Sequence, residues 1–167
     1  MHIVPTVHLV CGSTGAGKTT YSLRLSERLR ATHFSIDDWM VTLFAADMPR
    51  PPDWTWISER AGRCQSQIMT TACALGSMGS SSILDLGWLR ADQRQHAVSL
   101  ATERGMAVQL HFLDVDIAER WRRVKARNAE RGETFRLTVT AEMFEFIEKI
   151  WEPPSSEEMA AFHGMRI

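Results

Sequence analysis

Eight consecutive residues, Gly12-Ser13-Thr14-Gly15-Ala16-Gly17-Lys18-Thr19, constrain this chain more than any other stretch. They match the pattern GxxxxGK[ST] without a mismatch. Val7 to Cys11 before them is a short, mostly apolar run that reads as a buried strand. After them Tyr21, Leu25 and Leu29 recur at four-residue spacing among Arg24, Glu27, Arg28 and Arg30, the mark of an amphipathic helix. Glycines in such a turn let the backbone wrap an anion closely, where a Cβ would obstruct it. Successive N–H groups and the helix N-terminus then face a phosphate chain. Lys18 brings a positive charge to the β- and γ-phosphates, and the Thr19 hydroxyl, with Thr20 beside it, is placed for Mg2+ and phosphate. Lysine is scarce in this chain, since only Lys18, Lys125 and Lys149 stand among 19 basic residues. GxGxxG is absent at this loop, which disfavours a dinucleotide site.

The rest of the chain alternates between the two periods of secondary structure. His33 to Ile36, Ser82 to Leu84 and Met106 to Leu113 read as strands. Trp56 to Leu75, Arg90 to Glu103, Ile117 to Ala129 and Thr140 to Trp151 read as helices, with Gly105 closing the second of these. The tail after Pro154 is ambiguous, with His163 to Ile167 a candidate fifth strand. Alternation of this kind implies an α/β fold: parallel strands, right-handed crossovers and helices on both faces. The 167 residues fit one domain. In such sheets ligands sit at the carboxyl ends of the strands.

Composition excludes several alternatives. Lys plus Arg total 19 and Asp plus Glu total 20, a balance unlike that of a general nucleic-acid coat. No apolar run approaches the ~20 residues of a membrane span. The start, Met1 to His8, lacks the basic head and long apolar run of a secretory signal. Cys11, Cys64 and Cys73 form no CxxC pair and no even-numbered framework, so a reducing cytoplasm is expected. The six histidines show no HxH or HExxH spacing. His8 and His111 read as strand residues and the others as surface.

Acidic residues stand where the alternation puts strand ends. Asp85 closes the strand Ser82-Ile83-Leu84, a position suited to holding Mg2+ beside the loop or to capping the next segment. Asp37 and Asp38 follow Phe34-Ser35-Ile36. One of them, Asp37 by preference, is placed to take the proton of an attacking hydroxyl, and the other to cap a helix or touch substrate.

With these segments placed, the chain resembles the small P-loop kinases related to zeta toxins and chloramphenicol phosphotransferase. The loop, Ser35-Ile36-Asp37-Asp38 and Leu84-Asp85-Leu86-Gly87 carry the resemblance. So do the basic run Glu119 to Asn128 and the closing run Phe144 to Pro154. The resemblance implies a three-layer α/β/α domain with strand order 2-3-1-4-5. It implies ATP and Mg2+ as cofactors and phosphoryl transfer to a small-molecule hydroxyl. By position it maps the general base onto Asp37 and the Mg2+-side acid onto Asp85. It implies a lid over about 120–137 carrying Arg123, Arg127 and Arg131, and a substrate-side insertion over about 39–60.

Arg120, Arg123, Arg127 and Arg131 recur at three or four residues, which puts them on one helix face. Arginine forks stabilise the charge of a moving phosphoryl group, Arg127 foremost here, although a solvated face paired with Glu119 and Glu130 is the bland alternative. Trp39, Trp54, Trp56 and Phe44 fall in the insertion, as an acceptor platform or as a sealing patch. Arg60 would hold an anionic acceptor or pair with Glu59. Two other functions compete with the kinase. One is a nucleotide-dependent switch or ATPase acting through a protein partner. The other is a polynucleotide 5′-end kinase, which the near-zero net charge disfavours.

Overall fold

Val7, Leu9 and Cys11 alternate with His8 and Val10 along the first strand, and all five are buried. A strand apolar on both faces belongs at the centre of a parallel sheet covered on both sides. The computed structural model, which describes residues 4–51, 53–132 and 138–167, shows that arrangement. The elements run β1 (Thr6–Cys11), α1 (Lys18–Leu29), β2 (Thr32–Ser35), α2 (Ile36–Phe44), α3 (Trp54–Ser77), β3 (Ser82–Asp85), α4 (Ala91–Thr102), β4 (Ala107–Phe112), α5 (Ile117–Glu130), α6 (Ala141–Ile150), α7 (Ser156–Ala161) and β5 (Met165–Arg166). The sheet order is β2-β3-β1-β4-β5, and every pairing is parallel. The expected strand order and the fifth strand are therefore both present.

Two cores flank the sheet. On one face Ile68, Met69, Ala72 and Cys73 of α3 and Ala97, Val98 and Ala101 of α4 pack on Val7, Leu9, Leu84 and Leu110. On the other, Leu25 of α1 packs with Val10, Ile83 and Leu113. Strand alternation puts His8, Val10, Ile83, Asp85 and His33 on this second side. There His8 Nδ1 and His111 Nε2 lie 3.0 Å apart, and the Tyr21 hydroxyl is 2.8 Å from His111 Nδ1. Burial lowers both imidazoles, His111 to about 4, so both are neutral in the fold.

Several boundaries differ from expectation. Ile36 belongs to α2 rather than to β2, because Ser35 caps the helix by accepting from the Asp38 N–H. Asp37 and Asp38 thus occupy a first helical turn, where carboxylates suit the helix dipole. Helix α3 starts at Trp54, since Asp53 accepts from the N–H groups of Thr55 and Trp56. The ambiguous tail holds α7, opened by a capping box of Ser155 and Glu158. Arg131 ends α5 as its C-cap, with a left-handed φ of 47°. Residues 133–137 of the expected lid and Pro52 of the expected insertion lie outside the described residues. Among the described residues no helix is long and apolar enough to cross a membrane. The three cysteines are free and buried, with Cys11 pushed up to about 12.

Candidate active site

The phosphate loop leaves β1 at Gly12 and enters α1 at Lys18. Gly15 and Gly17 hold φ values of 83° and 94°, which side chains rarely adopt. A Cβ on Gly15 would lie 2.5 Å from the Arg120 carbonyl oxygen, so α5 crosses the loop as closely as backbone permits. Lys18 Nζ donates to the Ser13 carbonyl at 3.3 Å and so folds back over the loop. The Thr19 hydroxyl donates to Asp85 Oδ2 at 2.8 Å. Phosphate-loop threonine and strand-end carboxylate, 66 residues apart in the chain, are thereby joined. Burial pushes the Asp85 carboxyl up from its ordinary value. Lys18 and Thr19 pull it back, and the Asp37 charge pushes it further up. Asp37 is therefore within electrostatic reach of this cluster, while Asp38 acts on His33.

Helix α5 treats its arginines unequally. Arg120 is buried and makes a fork to Glu148 of α6, with Nη1 at 2.6 Å and Nη2 at 2.7 Å from its two oxygens. Nη1 also donates to the Thr14 carbonyl at 3.2 Å. The Ser13 hydroxyl donates to the same Glu148. Arg120 thus fastens the loop. Arg123 reaches the loop too, donating from Nη1 to the Ala16 carbonyl at 3.3 Å, while its Nε pairs with Glu119 at 2.7 Å. Arg122 and Arg123 hold the Glu119 carboxyl down to about 2. Arg127 Nε is buried without a hydrogen-bond partner among the described residues. Arg131 stands at the end of α5 and is exposed.

The insertion divides instead of forming one aromatic cluster. Trp39 packs partly buried against the main core. Trp54 stacks on Phe146 of α6, with centroids 4.8 Å apart. Trp56 meets Phe44 edge-on and carries the Arg60 guanidinium 3.9 Å above its ring. Arg60 also donates to the Trp56 carbonyl and lies 3.7 Å from Glu59, so its partners are local. Helices α2 and α3 pack together beside the β2 and β3 ends.

Two features escaped sequence reasoning. Glu148 gives no motif and becomes important only because α6 folds back onto the loop. His33 is not a surface residue: it lies in β2 with Nε2 buried, 4.0 Å from Asp85 Oδ2. Elsewhere the wholly buried Arg94 forks onto Glu158 at 2.8 and 3.0 Å and donates to the Trp88 and Glu152 carbonyls. That network ties α4 to the C-terminal segment and lies outside the site.

Residues 7–149 match the AAA_33 family, described as an AAA domain. No curated protein matches the chain. Solved structures of similar fold include a candidate kinase from Chloroflexus aurantiacus, 19% identical, covering 92% of this chain and 83% of that one at a TM-score of 0.72. A Janibacter sp. sugar kinase is 18% identical, with 99% and 85% covered and a TM-score of 0.68. The Mycobacterium tuberculosis APS kinase CysC, solved with AMPPNP and APS, is 17% identical, with 87% and 95% covered and a TM-score of 0.58. At these identities the likeness establishes the P-loop α/β fold.

Proposed function

Because this chain belongs to the AAA_33 family of AAA domains, we propose that it is an ATP-dependent kinase that moves the γ-phosphoryl group of ATP to a hydroxyl of a small molecule. The observation that carries this reading is the Thr19–Asp85 hydrogen bond at the carboxyl edge of the sheet, with Lys18 beside Thr19 in the loop and Asp37 in the first turn of the helix that follows the neighbouring strand. A switch ATPase needs a residue that orients water close to the loop. Gln93, the first glutamine after Asp85, lies in the first turn of α4, whose Arg90 N–H donates to it.

The residues fit the groups the reaction requires. The loop from Gly12 to Thr20 offers glycines at positive φ and a helix N-terminus, a cradle for a triphosphate. Thr19 and Asp85 form a hard-oxygen pair, and the buried Asp85 carboxylate lacks a full counter-charge, which suits a divalent cation such as Mg2+. Bound there, that cation supplies charge neutralisation on the β- and γ-oxygens.

Asp37 accepts the proton of the acceptor hydroxyl as its oxygen attacks the γ-phosphorus and the bond to the β-phosphate oxygen breaks. The Lys18 ammonium, released from the Ser13 carbonyl, offsets charge on the transferring group. Arg123 reaches the loop from α5, and Arg127 and Arg131, further along that helix and at its end, complete the set of arginines for the phosphoryl group. The acceptor enters on the α2–α3 side, where Asp38 and Trp39 stand on α2 and Trp56 and Arg60 on α3, with Trp54 of α3 stacked on α6. The sugar kinase and APS kinase of similar fold support a small-molecule acceptor, as does a net charge of -1.

Incubation with Mg2+ and γ-labelled ATP, with and without a small-molecule cell extract, tests this reading. Label is expected in an extract-derived compound. Release only as free phosphate, at one rate with or without extract, overturns it in favour of an ATPase. Transfer to a 5′-hydroxyl oligonucleotide, with steep salt dependence, overturns the small-molecule assignment.

A further inference from the structure

Asp85 has one direct donor, Thr19, and a second group stands just out of reach of it. His33 precedes Ser35 by two residues on β2, and Ser35 is the register partner of Asp85. The imidazole therefore lies on the same side of the sheet as the carboxylate. Its Nε2 is buried, has no hydrogen-bond partner among the described residues and is 4.0 Å from Asp85 Oδ2. A buried ring nitrogen without a hydrogen-bond partner carries a desolvation penalty. The gap is about 1 Å beyond a hydrogen bond, a distance a carboxylate covers by a small torsion.

We propose that His33 is a positioning residue for Asp85: its Nε2–H is a second donor that holds the carboxylate beside the Thr19 hydroxyl. Thr19 and His33 address the same oxygen, Oδ2. A hydroxyl oxygen keeps its proton on a carboxylate while a lone pair faces a cation, so two donors on Oδ2 fix the carboxylate more firmly than one. A neutral donor orients a carboxylate without cancelling its charge, so the charge stays available to a cation. An arginine or lysine in the same place would cancel it. Side chains that orient ligating carboxylates typically alter metal affinity about 10- to 100-fold when removed.

This inference rests on the reading of Thr19 and Asp85 as the divalent-cation pair, and two measurements separate the two. Long-range 1H–15N correlation of the free protein is expected to show His33 protonated at Nε2, with that nitrogen shifting in Asp85→Asn. Protonation at Nδ1 instead overturns the proposal. Calorimetry then compares AMPPNP affinity with and without Mg2+ in the wild type, His33→Phe and His33→Gln. In His33→Phe the strengthening by Mg2+ is expected to fall about tenfold, with Mg2+-free affinity unchanged. His33→Gln, which keeps a donor, is expected to recover part of it. An unchanged Mg2+ effect in a folded His33→Phe overturns the positioning role alone. A wild type without any Mg2+ effect overturns the cation pair, and the proposal with it.

Discussion

Arg120 and Glu148 form a two-pronged ion pair across the back of the phosphate loop, with both contacts at 2.7 Å or less. Both partners are largely buried, and the same arginine holds the Thr14 carbonyl. Breaking such a pair from one side leaves an uncompensated charge. Arg120→Met is therefore expected to cost about 3 kcal/mol, and Glu148→Gln less, because the amide keeps one hydrogen bond. Urea unfolding reads this as a lower midpoint at constant slope. An unchanged midpoint in Arg120→Met would show that the pair contributes nothing to stability.

Lys18 and Asp37 should separate binding from chemistry. Lys18→Ala is expected to weaken Mg2+·ATP binding about tenfold or more, since a charged hydrogen bond to phosphate is lost. Asp37→Asn is expected to keep that affinity and lose about 10²- to 10⁴-fold in turnover, the usual contribution of a general base. Binding by calorimetry and turnover by label transfer check both. Normal turnover in Asp37→Asn moves the proton to Asp38 or to neither.

Acid should destabilise the fold from near neutrality. Burial lowers His8 and His111, so the unfolded chain takes up protons first as pH falls. Their stabilising contribution is complete above 6.5 and is lost as pH falls toward the folded value, about 4 for His111. For His111 alone the loss is about 3 kcal/mol. Glu148, held low by Arg120, adds a loss at more acid pH, below the ordinary carboxylate value of 4.5. Denaturant unfolding across this range measures the slope. His111→Gln, which hydrogen-bonds without titrating, is expected to flatten it.

Two glycines should respond in opposite directions to alanine. Gly15→Ala meets the Arg120 carbonyl at 2.5 Å and an unfavourable φ, so it is expected to cost about 2 kcal/mol or more and to abolish nucleotide binding. Gly62 lies inside α3 with nothing within 4 Å of the added Cβ. Gly62→Ala is expected to stabilise by up to about 1 kcal/mol. Thermal unfolding of the pair checks both signs.

The legible part of the molecule is the part encoded locally. The loop needs glycines and a lysine at fixed spacing within eight residues, and strand and helix periods repeat within a few residues. Strand order, the fifth strand and the P-loop class were therefore accessible, the order through the resemblance. Asp85 stood at a strand end, so the general placement rule reached it. The end of β2 differs by one residue from expectation because Ser35 serves both β2 and the cap of the next helix.

The sequence by itself determined that a phosphate loop would sit between a buried strand and a helix, and that carboxylates would end the neighbouring strands. Only the tertiary structure decided which side chains support them. Ser13 meets Glu148 across 135 residues, Arg94 meets Glu158 across 64, and His33 faces Asp85 from another strand. No spacing records such pairs, because each depends on how two distant elements pack. The same packing turned Arg120 from a lid candidate into a buried anchor and divided the tryptophans between the core, α6 and Arg60. A charge or an aromatic ring has no fixed role until burial and neighbours set its energy.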